Sequence, residues 1–329
     1  MKNTLRALLL CLCSTATIAL AGTGSEYSST TTAAAGNPES VFPFELDLEY
    51  AYIGDSDVER GFRKVKGFDE NYALARFIYR PRTAVGYLRL GAAYERFDFG
   101  LPDVAVISRV RDAVTGAPIP GTLRFGSPQL PETLQSVSAV IGLDTKFSDS
   151  ILFRVEAQPG FYGSDDLDSD SFNVPVVVGG SYVYSENLQF IFGVSVNYER
   201  KYPVFPGGGI RWRFASNWVL NAALPTPRLE FEASRNLTIF AGANVKGSTF
   251  RVDEGFNIGR GDNRLNHAIL SYSEVRTGGG IDWKITPDIR FSLEGGYVPY
   301  REFDYHRADI RYKHDKGAPY GAVGFRAAF

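Results

Sequence analysis

Only two cysteines occur in the 329 residues, Cys11 and Cys13, and the single methionine is Met1. From residue 14 onward no disulfide and no thiolate metal site is possible. Three histidines (His267, His306, His314) leave little room for a histidine-rich metal centre. No stretch beyond the first two dozen residues approaches the ~18 consecutive apolar residues of a membrane-spanning helix. An excess of either charge is missing too: 35 basic residues face 37 acidic ones, so the electrostatic footprint of a nucleic-acid binder is absent. What is abundant is glycine, at 34 residues, with 24 phenylalanines and 18 tyrosines. That mixture, poor in methionine and cysteine, belongs to sheets rather than helical bundles.

The amino terminus reads as an address. Lys2 and Arg6 precede an apolar run from Ala7 to Ala19, and Ala19-Leu20-Ala21 is a small-x-small cleavage site. Residues 1–21 are therefore expected to be a signal peptide, removed on export. Residues 22–40 are rich in Ser, Thr, Ala and Gly and are expected to form a disordered periplasmic lead-in. The folded domain is expected over 41–329.

One local pattern recurs through that domain: an aromatic or apolar residue, a short Ser/Thr/Pro–Asp/Asn turn, then alternating apolar residues. It appears at Phe147-Ser148-Asp149-Ser150, Tyr184-Ser185-Glu186-Asn187, Ala215-Ser216-Asn217, Ala233-Ser234-Arg235-Asn236 and Ile285-Thr286-Pro287-Asp288, with a looser sixth copy at Tyr79-Arg80-Pro81-Arg82. Each copy is a hairpin signal, because these side chains satisfy backbone groups locally. After each turn the period is two. Ile151, Phe153, Val155 and Ala157 oppose Leu152, Arg154, Glu156 and Gln158; Leu188, Phe190, Phe192, Val194 and Val196 oppose Gln189, Ser195 and Asn197. Segments of this kind, tilted by about 40° at ~3.3 Å per residue, climb roughly 25 Å, the height of the apolar band of a transmembrane barrel. Aromatic residues mark both ends: Phe147, Tyr184, Phe214, Trp218 and Trp283 beside the short turns, and Tyr52, Tyr94, Phe161, Tyr198 and Tyr297 at the far ends. The fold expected is all-β: an antiparallel up-and-down transmembrane β-barrel. Six short turns imply fourteen strands, with both termini on the periplasmic side. Residues 208–233 allow two readings: a locally low rim, or a hairpin that fails to span and a count of twelve.

The chain closes with Val323-Gly324-Phe325-Arg326-Ala327-Ala328-Phe329. This terminal phenylalanine, preceded by alternating apolar residues, resembles the closing signature of bacterial outer-membrane proteins, and implies a partner in the barrel-assembly machinery as well as outer-membrane lipid. Further segments (Leu130-Pro131-Glu132-Thr133-Leu134-Gln135, Gln158-Pro159-Gly160-Phe161-Tyr162, Trp218 with Pro225-Thr226-Pro227-Arg228-Leu229, and Gly295-Gly296-Tyr297 through Arg301-Glu302-Phe303-Asp304-Tyr305) resemble an uncharacterised family of outer-membrane β-barrels, a domain of unknown function. The resemblance covers about residues 40–329. It implies fold and location and supplies no activity or site residues.

Taking the non-apolar face of each strand as inward places equal numbers of acids and bases in the lumen. Basic residues gather at Arg211, Arg213 and Arg228, and acids on the first strand at Glu45, Asp47 and Glu49. The candidate lining is Arg211, Arg213, Arg228, Glu230, Glu232, Arg276, Asp282, Lys284, Arg290 and Glu294. Such a charge-balanced lining suits a passive, porin-like channel for small polar solutes without strong ion selectivity. In the competing reading the charges pair across strands and fill a plugged barrel that acts through its outer loops as scaffold, adhesin or receptor. Fourteen strands fall between barrels filled by side chains and those with an aqueous channel. The long connection 99–132 is expected to carry a short amphipathic helix over Asp103–Val114.

Other constellations look chemical without the required geometry. Asp165, Asp166, Asp168 and Asp170 lack the glycine and bidentate glutamate of a calcium loop and read as a solvated acidic loop. Asp304, His306, Asp309 and His314 lack a third histidine or a cysteine for zinc. His267 and Ser271 would be the pair of a barrel lipase, but four residues along a strand separates them by ~13 Å, too far for activation. No catalytic residue, metal or cofactor is expected.

Overall fold

The computed structural model describes residues 43–61, 63–103, 105–107, 123–258 and 260–329. The expected signal peptide and lead-in lie outside them. Fourteen strands form the wall: β1 (Phe44–Arg60), β2 (Arg63–Tyr79), β3 (Gly86–Gly100), β4 (Thr133–Ser148), β5 (Ile151–Ala157 with Gly160–Gly163), β6 (Phe172–Asn173 with Val176–Ser185), β7 (Leu188–Val196), β8 (Val204–Ala215), β9 (Trp218–Asn221), β10 (Arg228–Glu232), β11 (Leu237–Lys246 with Thr249–Arg251), β12 (Ile269–Lys284), β13 (Ile289–Tyr305) and β14 (Ile310–Lys316 with Ala318–Ala328). Each pairs antiparallel with the next, and β14 closes on β1 from Glu45↔Ala328 to Ile53↔Tyr320. Closure satisfies the backbone groups that an open sheet would leave at its edges, the condition for crossing a bilayer. Both ends of the barrel chain meet at the short-turn end, where the Phe44 and Phe329 backbones exchange two hydrogen bonds of 3.0 Å.

The outward face is greasy where the alternation requires it. Tyr50, Phe77, Ile141, Phe192, Ile239, Leu293 and Val323 are all exposed. At the short-turn end the rings gather into a girdle: Phe44 stacks with Phe77, Tyr79 and Phe329, and Phe214 with Trp218. Amphipathic and aromatic rings at this level match a membrane interface.

The rim is uneven. β9 and β10 hold four and five residues, so the low-rim reading of 208–233 is the one the structure adopts. On the opposite side β1 and β2 form a hairpin of 17-residue strands joined near Gly61, and β13 and β14 rise beside it. Residues 54–60 and 63–67, polar enough to pass for a loop, are strand: Asp57–Glu59 pair with Lys313–Lys316, and Val58–Arg60 with Arg63–Val65. The helix expected over 103–114 is not what forms at its start: Ala105–Ile107 is a strand, paired with Leu123–Phe125 and with Arg63–Lys64. β-Branched Val106 and Ile107 extend the exposed edge of β2 rather than coil; residues 108–122 lie outside the described residues.

Prolines interrupt strands where the ladder tolerates it. Pro159 and Pro175 divide β5 and β6, yet each carbonyl still accepts a hydrogen bond, from Ala139 and Gln158 respectively, both at 2.9 Å. Pro299, expected near a rim, sits inside β13 at a register shift between Val275↔Tyr300 and Thr277↔Tyr297. A bulge is one of the few places within a sheet that a residue without an N–H can occupy.

The outer third of the barrel closes a second time. The end of β11 lies parallel to the end of β5, with Arg251 beside Gly163, and Ser164 N–H donates to Arg251 O at 3.0 Å. Five strands, β6–β10, stand outside this closure. The other nine form a narrower barrel packed with Phe68, Tyr72, Phe97, Phe99, Phe250, Tyr272 and Phe303, whose rings meet mostly edge to face with centroids 4.8–6.3 Å apart. Gln129 seals its top, accepting from Tyr305 through its backbone O (3.0 Å) and from Tyr312 through Oε1 (2.9 Å).

Candidate functional site: a charged vestibule

Below that packed core the lumen widens into a cavity of about 2090 Å³ that opens among the short turns, bordered there by Thr83, Val85, Asp149 and Pro287. The parity of the strands dictates its chemistry. Outward positions at the level of the cavity must meet lipid, so the charged residues of the strands around it are directed inward.

Of the candidate lining, Arg211, Arg228, Glu230, Glu232, Asp282, Lys284, Arg290 and Glu294 border the cavity. Arg213 does not; it forks onto Glu232 with two contacts of 2.7 Å beside the turn. Arg276 lies higher, 1% exposed, in a layer that separates cavity from apolar core. The cations of this side hold neighbouring carboxylates: Arg228 lies 2.8 Å from Glu230 and 3.3 Å from Asp282, and Arg211 lies 3.8 Å from Glu230.

A second group, on β1–β5, is denser. Arg154 reaches Asp144 at 2.5 Å, Arg89 reaches Glu156 at 2.9 Å, and Arg80 bridges Glu45 (2.6 Å) and Asp144 (3.2 Å). Arg76 also pairs with Glu156. Four guanidiniums thus share three carboxylates, leaving a local excess of positive charge facing the cavity. Between the two groups β6 and β7 present neutral polar groups, Ser181 and Gln189.

The layer above the cavity holds two fully buried carboxylates. Glu70 and Glu274 share Arg301 (2.7 and 3.3 Å) and Arg276 (3.6 and 2.6 Å), while Tyr272 donates to Glu70 at 2.7 Å. Lys246 pairs with Glu49 at 2.7 Å and lies over the Tyr72 ring at 4.7 Å. Glu70 shares the inward parity of Arg76 and was legible as a lumen residue. Arg301 was not, because the register shift beside Pro299 turns it inward against the alternation of β13.

The other constellations take structural places. His267 lies in a left-handed turn (φ 51°) outside β12, and the Ser271 hydroxyl is 3.4 Å from Thr249. Asp168 caps the short 3-10 turn Ser169–Ser171, accepting from the Ser171 N–H at 2.9 Å. Burial, with Asp253 and Glu132 nearby, raises the Asp165 carboxyl above its ordinary range.

Residues 146–327 match the family described as Domain of unknown function (DUF6268). The chain belongs to this family. The match spans β5–β13 entire and reaches into β4 and β14, so the family's shared core includes the short strands and the Arg211/Arg228 wall. Among curated proteins none matches. Solved structures with distant likeness include the COG4313 outer membrane channel from Pseudomonas putida F1 (9% identity, TM-score 0.40, 89% of this chain and 100% of that one). The Ralstonia pickettii toluene transporter TbuX is 11% identical with TM-score 0.38 (94% and 99% covered), and the KdgM porin 10% identical with TM-score 0.34 (87% and 99%). At these scores nothing about the present barrel's cargo follows from them. This member of the family is a closed fourteen-strand β-barrel with a vestibule at one end and a packed core at the other.

Proposed function

We propose that this DUF6268 barrel is a narrow channel of the bacterial outer membrane for small polar solutes, with the vestibule facing the periplasm. The observation that carries the reading is the vestibule itself. A barrel serving only as scaffold gains by filling its lumen, whereas here about 2090 Å³ is left open and lined with ionic groups. Twelve cationic and eleven acidic side chains border it among the described residues, which supports a nearly charge-balanced lumen. Most of these charges are held in ion pairs, such as Arg154–Asp144, Arg228–Glu230 and Lys246–Glu49, so the lining offers oriented dipoles and a transverse field instead of one fixed sign. The account includes no catalytic step. Phe329, stacked on Phe44 at the closing seam, is the residue we assign to recognition by the assembly machinery.

A second reading has its own observation: the aromatic core fills the outer third of the nine-strand side, as expected of a plugged barrel. Single-channel recording of the refolded protein in a planar bilayer separates the two. The channel reading expects small discrete steps, with a reversal potential in a salt gradient that shifts toward cation selectivity in Arg228→Ala. A folded barrel without current refutes it and leaves the plugged one.

A further inference from the structure

The nine-strand closure leaves unexplained what lies between it and the five strands outside it. That space is polar. Asn173, Ser195, Asn197 and Glu199 approach from β6, β7 and the loop after β7, and Thr249, Arg251 and Ser271 from the face of β11–β12 turned away from the aromatic core. All of these except Arg251 are essentially buried. Asn173 donates to Asn197 at 3.0 Å, buried Arg200 donates to Ser195 Oγ at 2.9 Å, Arg251 pairs with Glu199, and Thr249 and Ser271 lie 3.4 Å apart. Two buried oxygens of this layer remain unsatisfied by the protein. Oε2 of Glu199 and Oγ of Ser273 are buried and bond to no other group of the protein. Buried polar atoms left so are costly unless something polar meets them.

Below this layer the wall is bare. Gly179, Gly193 and Gly207 stand side by side on β6, β7 and β8, paired Gly179↔Gly193 and Gly193↔Gly207. They share the parity of Ser181, Gln189 and Arg211, which border the vestibule, so three adjacent strands present no side chain inward at this height. The strip begins at the vestibule's neutral sector and leads toward the polar layer.

We infer that the solute path leaves the vestibule here: over the glycine strip and through the polar layer between β6–β8 and β11–β12, beside the aromatic core and not through it. The lining fixes the class of solute. Hydroxyls and amides, with Glu199 set against the Arg251 and Arg200 guanidiniums, exchange hydrogen bonds with a passing molecule, so the path suits water and small hydroxylated solutes, neutral or anionic, over cations. The inference rests on the channel reading and deepens it.

The absence of cysteine after Cys13 gives a direct test. Ser195→Cys and, as a second site, Thr249→Cys place a thiol in the polar layer; Ala51→Cys places one in the aromatic core. Each is refolded, recorded in a planar bilayer and exposed to a charged methanethiosulfonate reagent, with single-channel current and the extent of labelling read together. The expected result is labelling at Ser195→Cys or Thr249→Cys with a loss of about half the current or more, since a bulky charge then sits in the narrowest part of the path. Ala51→Cys is expected to stay unlabelled with current intact. Current that persists with both polar-layer thiols unlabelled, or block from Ala51→Cys, overturns the route while leaving the channel standing. Wild-type protein that is folded and silent overturns the channel reading itself.

Discussion

Replacing Arg276 by methionine is the most informative single perturbation of this barrel. The guanidinium is 1% exposed and lies 2.6 Å from Glu274, 3.5 Å from Glu49 and 3.6 Å from Glu70, stacked over the Tyr72 ring at 4.7 Å. Methionine keeps the bulk and removes the charge. Glu70 and Glu274, both fully buried, are then left with Arg301 alone as countercharge. Stranding a buried charge costs about 3–5 kcal/mol, and the lost ring contact adds roughly 0.5–2 kcal/mol. Arg276→Met/Glu274→Gln removes one stranded carboxylate with its partner and leaves Glu70 and Arg301 at 2.7 Å. Unfolding by urea in lipid vesicles, followed by the fluorescence of Trp212, Trp218 and Trp283, reads both variants. The single variant is expected to lose at least about 3 kcal/mol and the double variant to recover half or more of that. A single-variant loss below about 1 kcal/mol, or a double variant as weak as the sum of its parts, refutes the view that this layer is a tightly coupled ionic seal.

Three further outcomes follow from the same geometry. Gly247 has φ +131°, and a Cβ there would stand 2.2 Å from Tyr272 O; Gly247→Val is expected to destabilise the outer barrel by about 2–4 kcal/mol, seen as early loss of amide protection in β11 and β12. Arg89→Ala leaves Glu156 buried with only Arg76 and Arg154 nearby and is expected to cost about 3 kcal/mol, whereas exposed Arg264→Ala is expected to leave the midpoint of the same urea titration unchanged. Burial lowers the His306 and His314 imidazoles below their ordinary range, His314 further through Arg301. Their contribution is therefore complete above pH ~6.5 and declines as pH falls below it; amide protection factors over 305–316, corrected for the intrinsic exchange rate, should fall at pH 5 in the wild type and much less in His306→Gln/His314→Gln.

The alternation of strands such as Leu188–Val196 was enough to read the wall, because the membrane punishes every polar side chain that faces it and the period of two records that constraint. The short turns follow from the same local signal, which at 208–233 left a low rim and a non-spanning hairpin both open until the four- and five-residue strands β9 and β10 decided for the rim. The eight candidate residues bordering the vestibule were legible for one reason: they lie on regular strands, where parity carries the face. Where regularity ends, so does legibility. Arg301 is turned inward by the shift beside Pro299, and nothing at Tyr297-Val298-Pro299-Tyr300 fixes the bulge without its partner strand. Asp57 and Lys316 look like loop residues until they pair. The second closure, Arg251 beside Gly163, joins positions 88 residues apart through one bridge and has no local pattern at all. That closure decides what the lumen is, and it separates a vestibule and polar layer from an aromatic core.

The central claim is a channel wide at the short-turn end and narrow at the other. Polyethylene glycols of graded size, added to one side at a time during single-channel recording, test it most directly. The account predicts that polymers small enough to enter a cavity of about 2090 Å³ reduce the current from the short-turn side and have no effect from the loop side. Equal reduction from both sides, or no current to reduce, would contradict it.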